Sequence, residues 1–174
     1  EVQVLPAWRP DKAMNLEKPD YADYLKKLGS AAGMEIRSFA DLKEALQKRM
    51  AFFAEMGCRA SDHALEYVMC VPETDENLEK IFAKRLCGER ISREAEMKFK
   101  TAFMLFAAGE YGRLGWTMQL HYGCKRDNIT AMYNLLGPDT GFDCINNYAP
   151  SAQLADFLDL LNREGSLPKT IIYS

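Results

Sequence analysis

Residues 115–123 read GWTMQLHYG, and the alternation inside this stretch decides the fold class. Trp116, Met118 and Leu120 alternate with Thr117, Gln119 and His121, the period of two expected of a strand with one apolar and one polar face. A helix-ending glycine precedes the run and a glycine turn follows it, so the local order is helix, strand, turn. The parity puts His121 with the polar set, at the carboxyl end of the strand.

Similar runs recur along the chain. Val2–Trp8 (VQVLPAW) is apolar and β-branched and stops at Arg9-Pro10-Asp11, which reads as a buried strand. Cys58–His63 (CRASDH) follows a helix and Gly57, where the next strand of a β/α repeat falls, and Lys169–Tyr173 (KTIIY) is a last β-branched strand. Helical patterns separate them. Asp20 is placed to cap a helix with Tyr21, Tyr24, Leu25 and Leu28 on one face, and Ser38 with Asp41 has capping-box spacing ahead of Leu42, Ala45, Leu46 and Met50. Thr74 and Ser92 start two more helices, the second with Phe99, Phe103, Phe106 and Tyr111 toward the core, and the pair reads as a helical insertion over about 72–114. The stretch LGPDTGFDCINNYAP reads as a loop with Asp139 and Asp143 as turn formers, and a helix follows from Ser151. Strands alternating with helices imply an α/β fold of parallel βα units, either open and doubly wound or part of a TIM-like (β/α)8 barrel. No strand is followed by GxGxxG or GxxxxGK, which favours the barrel.

The composition excludes several partners. The 174 residues suit one domain, with 48 % hydrophobic and 27 % charged residues and a net charge of -3. Without a basic block, neither nucleic acid nor an anionic membrane surface is an expected partner. The longest apolar stretch, Thr101–Ala108, is far short of a membrane span, and EVQVLP lacks the design of a signal peptide, so the chain reads as cytoplasmic. Its five cysteines are scattered and never paired as CxxC, which fits reduced thiols; Cys124 is singled out only because it follows the His121 turn.

Ligands of parallel sheets sit off the carboxyl ends of the strands. Those ends present Arg9, then Asp62 and His63, then His121 with Arg126 beyond, then Tyr173 and Ser174. Two arginines suit a substrate carboxylate or phosphate, and two histidines with an aspartate suit proton transfer. Each residue also has a purely structural explanation: Arg9 pairing with Asp11 at the loop surface, Asp62 capping a helix, Arg126 solvated beside Asp127. The two histidines form neither HxH nor HExxH, so a metal site built from this chain alone is not expected.

Five ordered segments, VLPAWRPDKA, GCRASDHAL, GWTMQLHYGCKRDN, LLGPDTGFD and LPKTIIYS, resemble landmark segments of the uronate (glucuronate) isomerases of the amidohydrolase superfamily. The resemblance covers essentially the whole chain and makes it a central segment of a metal-dependent-hydrolase-like barrel. It implies a distorted (β/α)8 barrel that interconverts D-glucuronate with D-fructuronate and D-galacturonate with D-tagaturonate, through an enediol-type intermediate and beside a divalent metal such as zinc. By the same resemblance Arg9 and Arg126 bind the uronate substrate, while Asp62, His63 and His121 line the pocket and are the catalytic candidates. The family's HxH pair and its last-strand aspartate have no counterpart in residues 1–174, so the metal's ligands are expected outside this segment. Where the family more often shows GALRNNNTRMF, this chain has GCKRDNITAMY, which keeps Arg126, Asn128 and Thr130 and leaves the preferred uronate open. An isolated segment with unpaired barrel edges is expected to be catalytically silent and to associate through those edges or as a homo-oligomer. Two other readings remain open at this point: a metal-dependent hydrolase segment of the same superfamily, and a non-catalytic α/β module that binds an acidic sugar.

Overall fold

The computed structural model describes residues 2–138, 140–147 and 151–173. Asp139 and Ser174 lie outside them. Three parallel strands form the main sheet: β1 (Ala60–Ala64), β2 (Thr117–His121) and β5 (Thr170–Tyr173), in the order β1-β2-β5. Trp8 extends this sheet past β1 by one bridge to Ser61, with its N–H donating to the Ala60 carbonyl at 3.0 Å and its carbonyl accepting from Asp62 N–H at 2.8 Å. Neighbours in the sheet therefore follow chain order. A second ribbon, β3 (Cys124–Lys125) against β4 (Cys144–Ile145), is antiparallel.

The expected strand Val2–Trp8 is thus reduced to its last residue. Pro6 has no N–H to donate, which interrupts a ladder, and Val2 and Val4 are 93 % and 92 % exposed rather than buried. The stretch expected as loop contains β4, and the short helix α6 (Thr130–Leu136) ends at its first residue; both are too short to leave a periodic signal.

The helices are α1 (Asp11–Met14), α2 (Tyr21–Ala32), α3 (Phe39–Glu55), α4 (Asp75–Leu86), α5 (Arg93–Leu114), α6 and α7 (Ser151–Arg163). Their caps show which sequence signals were sufficient. Ser38 is extended (φ -138, ψ 166) and forms the full capping box with Asp41. Asp20 holds the N-cap position of α2 but has φ -85 and ψ 7 rather than the extended backbone of a side-chain cap, and it makes no capping bond. Gly33 closes α2 with φ 66, a left-handed conformation that costs glycine little.

Of the two helices between β1 and β2, α5 packs directly on β2 and on α7, the place of a crossover helix, and α4 packs on α3 and α5. The core lies between the sheet and these helices. Phe99 is fully buried there, with its ring centroid 4.9 Å from Phe39 and 5.9 Å from Phe82. Among the described residues no helix is long and apolar enough to cross a membrane.

Truncating Phe99 removes a large buried ring from a packed cluster, for which phenylalanine-to-alanine changes cost about 3–5 kcal/mol. Urea denaturation of Phe99→Ala should show that loss; a change below about 1 kcal/mol would contradict the packing.

Candidate active site

The register of the sheet sorts the candidates. Asp62 is level with Gln119 and Ala64 with His121, so Asp62, Ala64, Gln119 and His121 share one face. Ser61 is level with Met118 and His63 with Leu120, and these four are fully buried under the helices. Consecutive residues of β1 therefore separate. Asp62 faces the open side, and His63 faces the core.

On the open face three expected residues meet. Arg9 Nη1 donates to Asp62 Oδ2 at 3.0 Å, and His121 Nε2 lies 3.1 Å from Asp62 Oδ1. That second oxygen is buried and has no aligned hydrogen-bond donor, so it is close to His121 yet still able to accept. The His121 ring stacks on Tyr173, its direct neighbour across the β2–β5 ladder, with centroids 4.3 Å apart and planes 6° apart. The Tyr173 hydroxyl in turn donates to Gln119 Oε1 at 3.0 Å. A tyrosine and a glutamine thus hold the histidine ring in place.

His63 does not line this face, contrary to the sequence expectation. It is wholly buried, with Nδ1 2.9 Å from Asp11 Oδ1 and Nε2 3.0 Å from the Tyr111 hydroxyl. The reason is the two-residue period of a strand: only one of two adjacent residues can face a given side. A buried imidazole with both nitrogens bonded is a satisfied core group.

Asp11 is the residue the sequence undervalued. The Arg9–Asp11 pair is present, with Arg9 Nε donating to Asp11 Oδ2 at 3.2 Å, but Asp11 is buried rather than at the loop surface. Its Oδ2 also accepts the Ala64 N–H at 2.9 Å. Burial pushes its carboxyl up, but the hydrogen bond and charge of His63, the Ala64 N–H and Arg9 outweigh this and hold it below the usual value. Burial also pushes the Tyr111 hydroxyl well up, which keeps it a neutral donor. The spacing Arg9-Pro10-Asp11 was legible; its burial depended on β1 passing behind it.

Arg126 lies apart from this cluster. It borders a cleft of about 400 Å³ off the end of β1, together with Ala64, Glu66, Lys18 and Lys100. Its Nη1 donates to Asp143 Oδ2 at 2.7 Å, and Asp143 Oδ1 accepts the Asp127 N–H at 3.0 Å. That N–H is the first cause of the lowered Asp143 pKa. Asp143 is therefore an anchor for Arg126 as well as part of a turn. Lys100 is neutralised by Glu96 at 2.7 Å and Glu17 at 3.1 Å.

Asp62 and His121 alone do not fit a divalent metal. Among the described residues no group of three His, Cys, Asp or Glu side chains comes together, and the Arg9 guanidinium already holds one Asp62 oxygen. The cysteines are free thiols; burial, then the hydrogen bond from Cys124 to Asp143, raises the Cys124 pKa, the opposite of an activated nucleophile.

The family model for glucuronate isomerase matches residues 1–174. The chain belongs to the glucuronate isomerase family. It is 64 % identical to the uronate isomerase of Lachnoclostridium phytofermentans over 174 residues and 60 % identical to that of Lachnospira eligens, covering all of this chain and 37 % of each relative. The crystal structure of uronate isomerase from Thermotoga maritima superposes on 97 % of this chain with a TM-score of 0.90 at 31 % identity, and the chain covers 37 % of that structure. Glucuronate isomerase from Caulobacter crescentus, at 23 % identity and a TM-score of 0.83 over 99 % of this chain and 36 % of its own, shares the fold. The chain thus spans about 37 % of the length of the curated family members it matches and is an internal segment of the family.

Because the Asp11 carboxyl titrates lower folded than unfolded, its contribution is complete above the usual value of 3.8 and fades as pH falls below that. Asp11→Asn should therefore be less stable than the native chain at neutral pH, with the difference shrinking below about pH 4. Denaturant unfolding followed by tryptophan fluorescence at pH 7 and pH 3 checks this; an equal difference at both would exclude it.

Proposed function

We propose that this segment supplies one wall of the active site of a uronate isomerase that interconverts D-glucuronate with D-fructuronate and D-galacturonate with D-tagaturonate. The observation that carries this reading is the meeting of Arg9, Asp62 and His121 on the open face of the sheet, with the Asp62 carboxylate 3.1 Å from His121 Nε2 and 3.0 Å from Arg9 Nη1. A carboxylate oxygen so placed accepts a proton from carbon, and the adjacent imidazole exchanges one with oxygen. From the aldose, the C2 proton leaves to the base and the C1 carbonyl oxygen gains a proton, giving an enediol. The C2 hydroxyl then loses its proton as C1 is protonated. Atoms and electrons balance without an external oxidant.

Arg9 and Arg126 are the substrate-binding residues of this reading. Guanidinium forks recognise a uronate carboxylate through paired charge-assisted hydrogen bonds. His63 enters only from behind, as a core residue. The chain-order sequence of parallel neighbours, Trp8, β1, β2, β5, is that of successive strands in a closed (β/α)8 barrel, and the polar face that carries Asp62 is then its interior. Exposed Ile171 and Ile172 on β5 mark where further barrel strands pack. A divalent metal such as zinc belongs to this reading through the family resemblance, with ligands contributed outside residues 1–174.

In the full-length enzyme, Asp62→Asn should lower kcat on D-glucuronate by about 10²–10⁴-fold, and Arg9→Ala should act mainly by raising KM. Steady-state assays of ketose formation measure both, and native-like kcat in Asp62→Asn would remove the proposed base. The 174-residue chain by itself should turn over no uronate, with or without added zinc.

A further inference from the structure

A continuous set of hydrogen bonds connects the core to the open face. It runs from the Tyr111 hydroxyl to His63, from His63 to Asp11, from Asp11 to Arg9 and from Arg9 to Asp62, with contacts of 3.0, 2.9, 3.2 and 3.0 Å. Directionality is fixed by chemistry. An ionised carboxylate only accepts, so His63 Nδ1 carries the hydrogen toward Asp11. Nε2 meets the Tyr111 hydroxyl at 3.0 Å, so both ring nitrogens have a partner. The Ala64 N–H closes the last direction on Asp11 Oδ2. Asp11 is thus held from the core by a side chain and from β1 by a backbone group.

Arg9 is not held in that way by packing. Its side chain is 52 % exposed, and an arginine left to solvent samples many rotamers. Two carboxylates fix it: Asp11 on Nε and Asp62 on Nη1. The planar guanidinium spans both, which a lysine ammonium on its flexible stem does not reproduce. Both contacts leave Nη2 for another acceptor.

We propose that Asp11, itself fixed by His63 and the Ala64 N–H, is a positioning residue that sets the Arg9 guanidinium between Asp62 and the substrate carboxylate. This rests on the reading of Arg9 as a substrate-binding residue. His63 then contributes to the reaction at two removes, without touching substrate, by holding the carboxylate that holds the arginine. The arrangement also links two separated pieces of sequence, Arg9–Asp11 and Asp62–Ala64, into one unit at the end of the sheet.

A double-mutant cycle in the full-length enzyme, read as kcat and KM on D-glucuronate, tests it. Asp11→Asn is expected to lower kcat/KM by about tenfold or more, mainly through KM, with the thermal melt confirming a folded enzyme. In the Arg9→Ala background the same Asp11→Asn change is expected to alter kcat/KM by less than about twofold, since nothing is left to position. A purely structural Asp11 would lose activity to the same degree in both backgrounds, and that result would overturn the proposal. Arg9→Lys is the arm that does not depend on Asp11→Asn folding: it should lose activity comparably, and native kcat/KM in it would also overturn the proposal. Full activity in Arg9→Ala would remove the substrate-binding role of Arg9, and the positioning with it. An impaired Arg9→Ala beside an unimpaired Asp11→Asn would remove the positioning alone.

Discussion

In the parallel pairing of β1 with β2, Asp62 lies beside Gln119 and Ala64 beside His121, while His63 lies beside Leu120. This register sends consecutive residues to opposite sides of one sheet. A shift of β2 by one residue would bury Gln119 and His121 among hydrocarbon, turn Met118 and Leu120 outward and part His121 from Asp62. The site and the core therefore depend on the same alignment. It is enforced by the apolar side, where Met118 and Leu120 are completely buried beneath the helices.

The polar groups that enter the core do so with their partners. His63 has no exposed surface, and an unsatisfied imidazole there would be destabilising by a few kcal/mol. Tyr111 and Asp11 occupy its two nitrogens. The Asp11 carboxylate, nearly as buried, is in turn met by the Ala64 N–H and by Arg9. Desolvation and hydrogen bonding are balanced in favour of the ionised form, so a negative charge persists just behind the open face. That charge helps to hold a positive one, Arg9, beside Asp62.

The face beyond the strand ends has two parts with different supports. Asp62, His121 and Tyr173 stand on the sheet, where backbone pairing limits their motion, and Arg9 directly follows the Trp8 bridge. Arg126 follows β3 of the short β3–β4 ribbon and is held by Asp143. The cleft of about 400 Å³ off the end of β1 is bordered by Arg126, Ala64 and Lys100, enough space for a small polar ligand. Relatives at 60 % identity or more carry the name uronate isomerase.

The alternation in GWTMQLHYG was enough to identify β2, its direction of burial and the side of His121, because a strand's two-residue period is written in its own residues. Caps with an extended backbone and a reciprocal partner, as at Ser38 and Asp41, were equally legible. The motifs pointed to the family. Sequence could not tell which of Asp62 and His63 faces the core, since CRASDH carries no hydrophobic alternation and its parity is set only by pairing with β2. It could not anticipate that VQVLPAW pairs at Trp8 alone, or that Asp11 is buried, because both depend on where β1 passes. The stack of Tyr173 on His121 likewise comes from the β2–β5 register. Local periodicity is a property of the chain, whereas facing, register and the meeting of distant charges are properties of the packed sheet, and the candidate site is made of the latter.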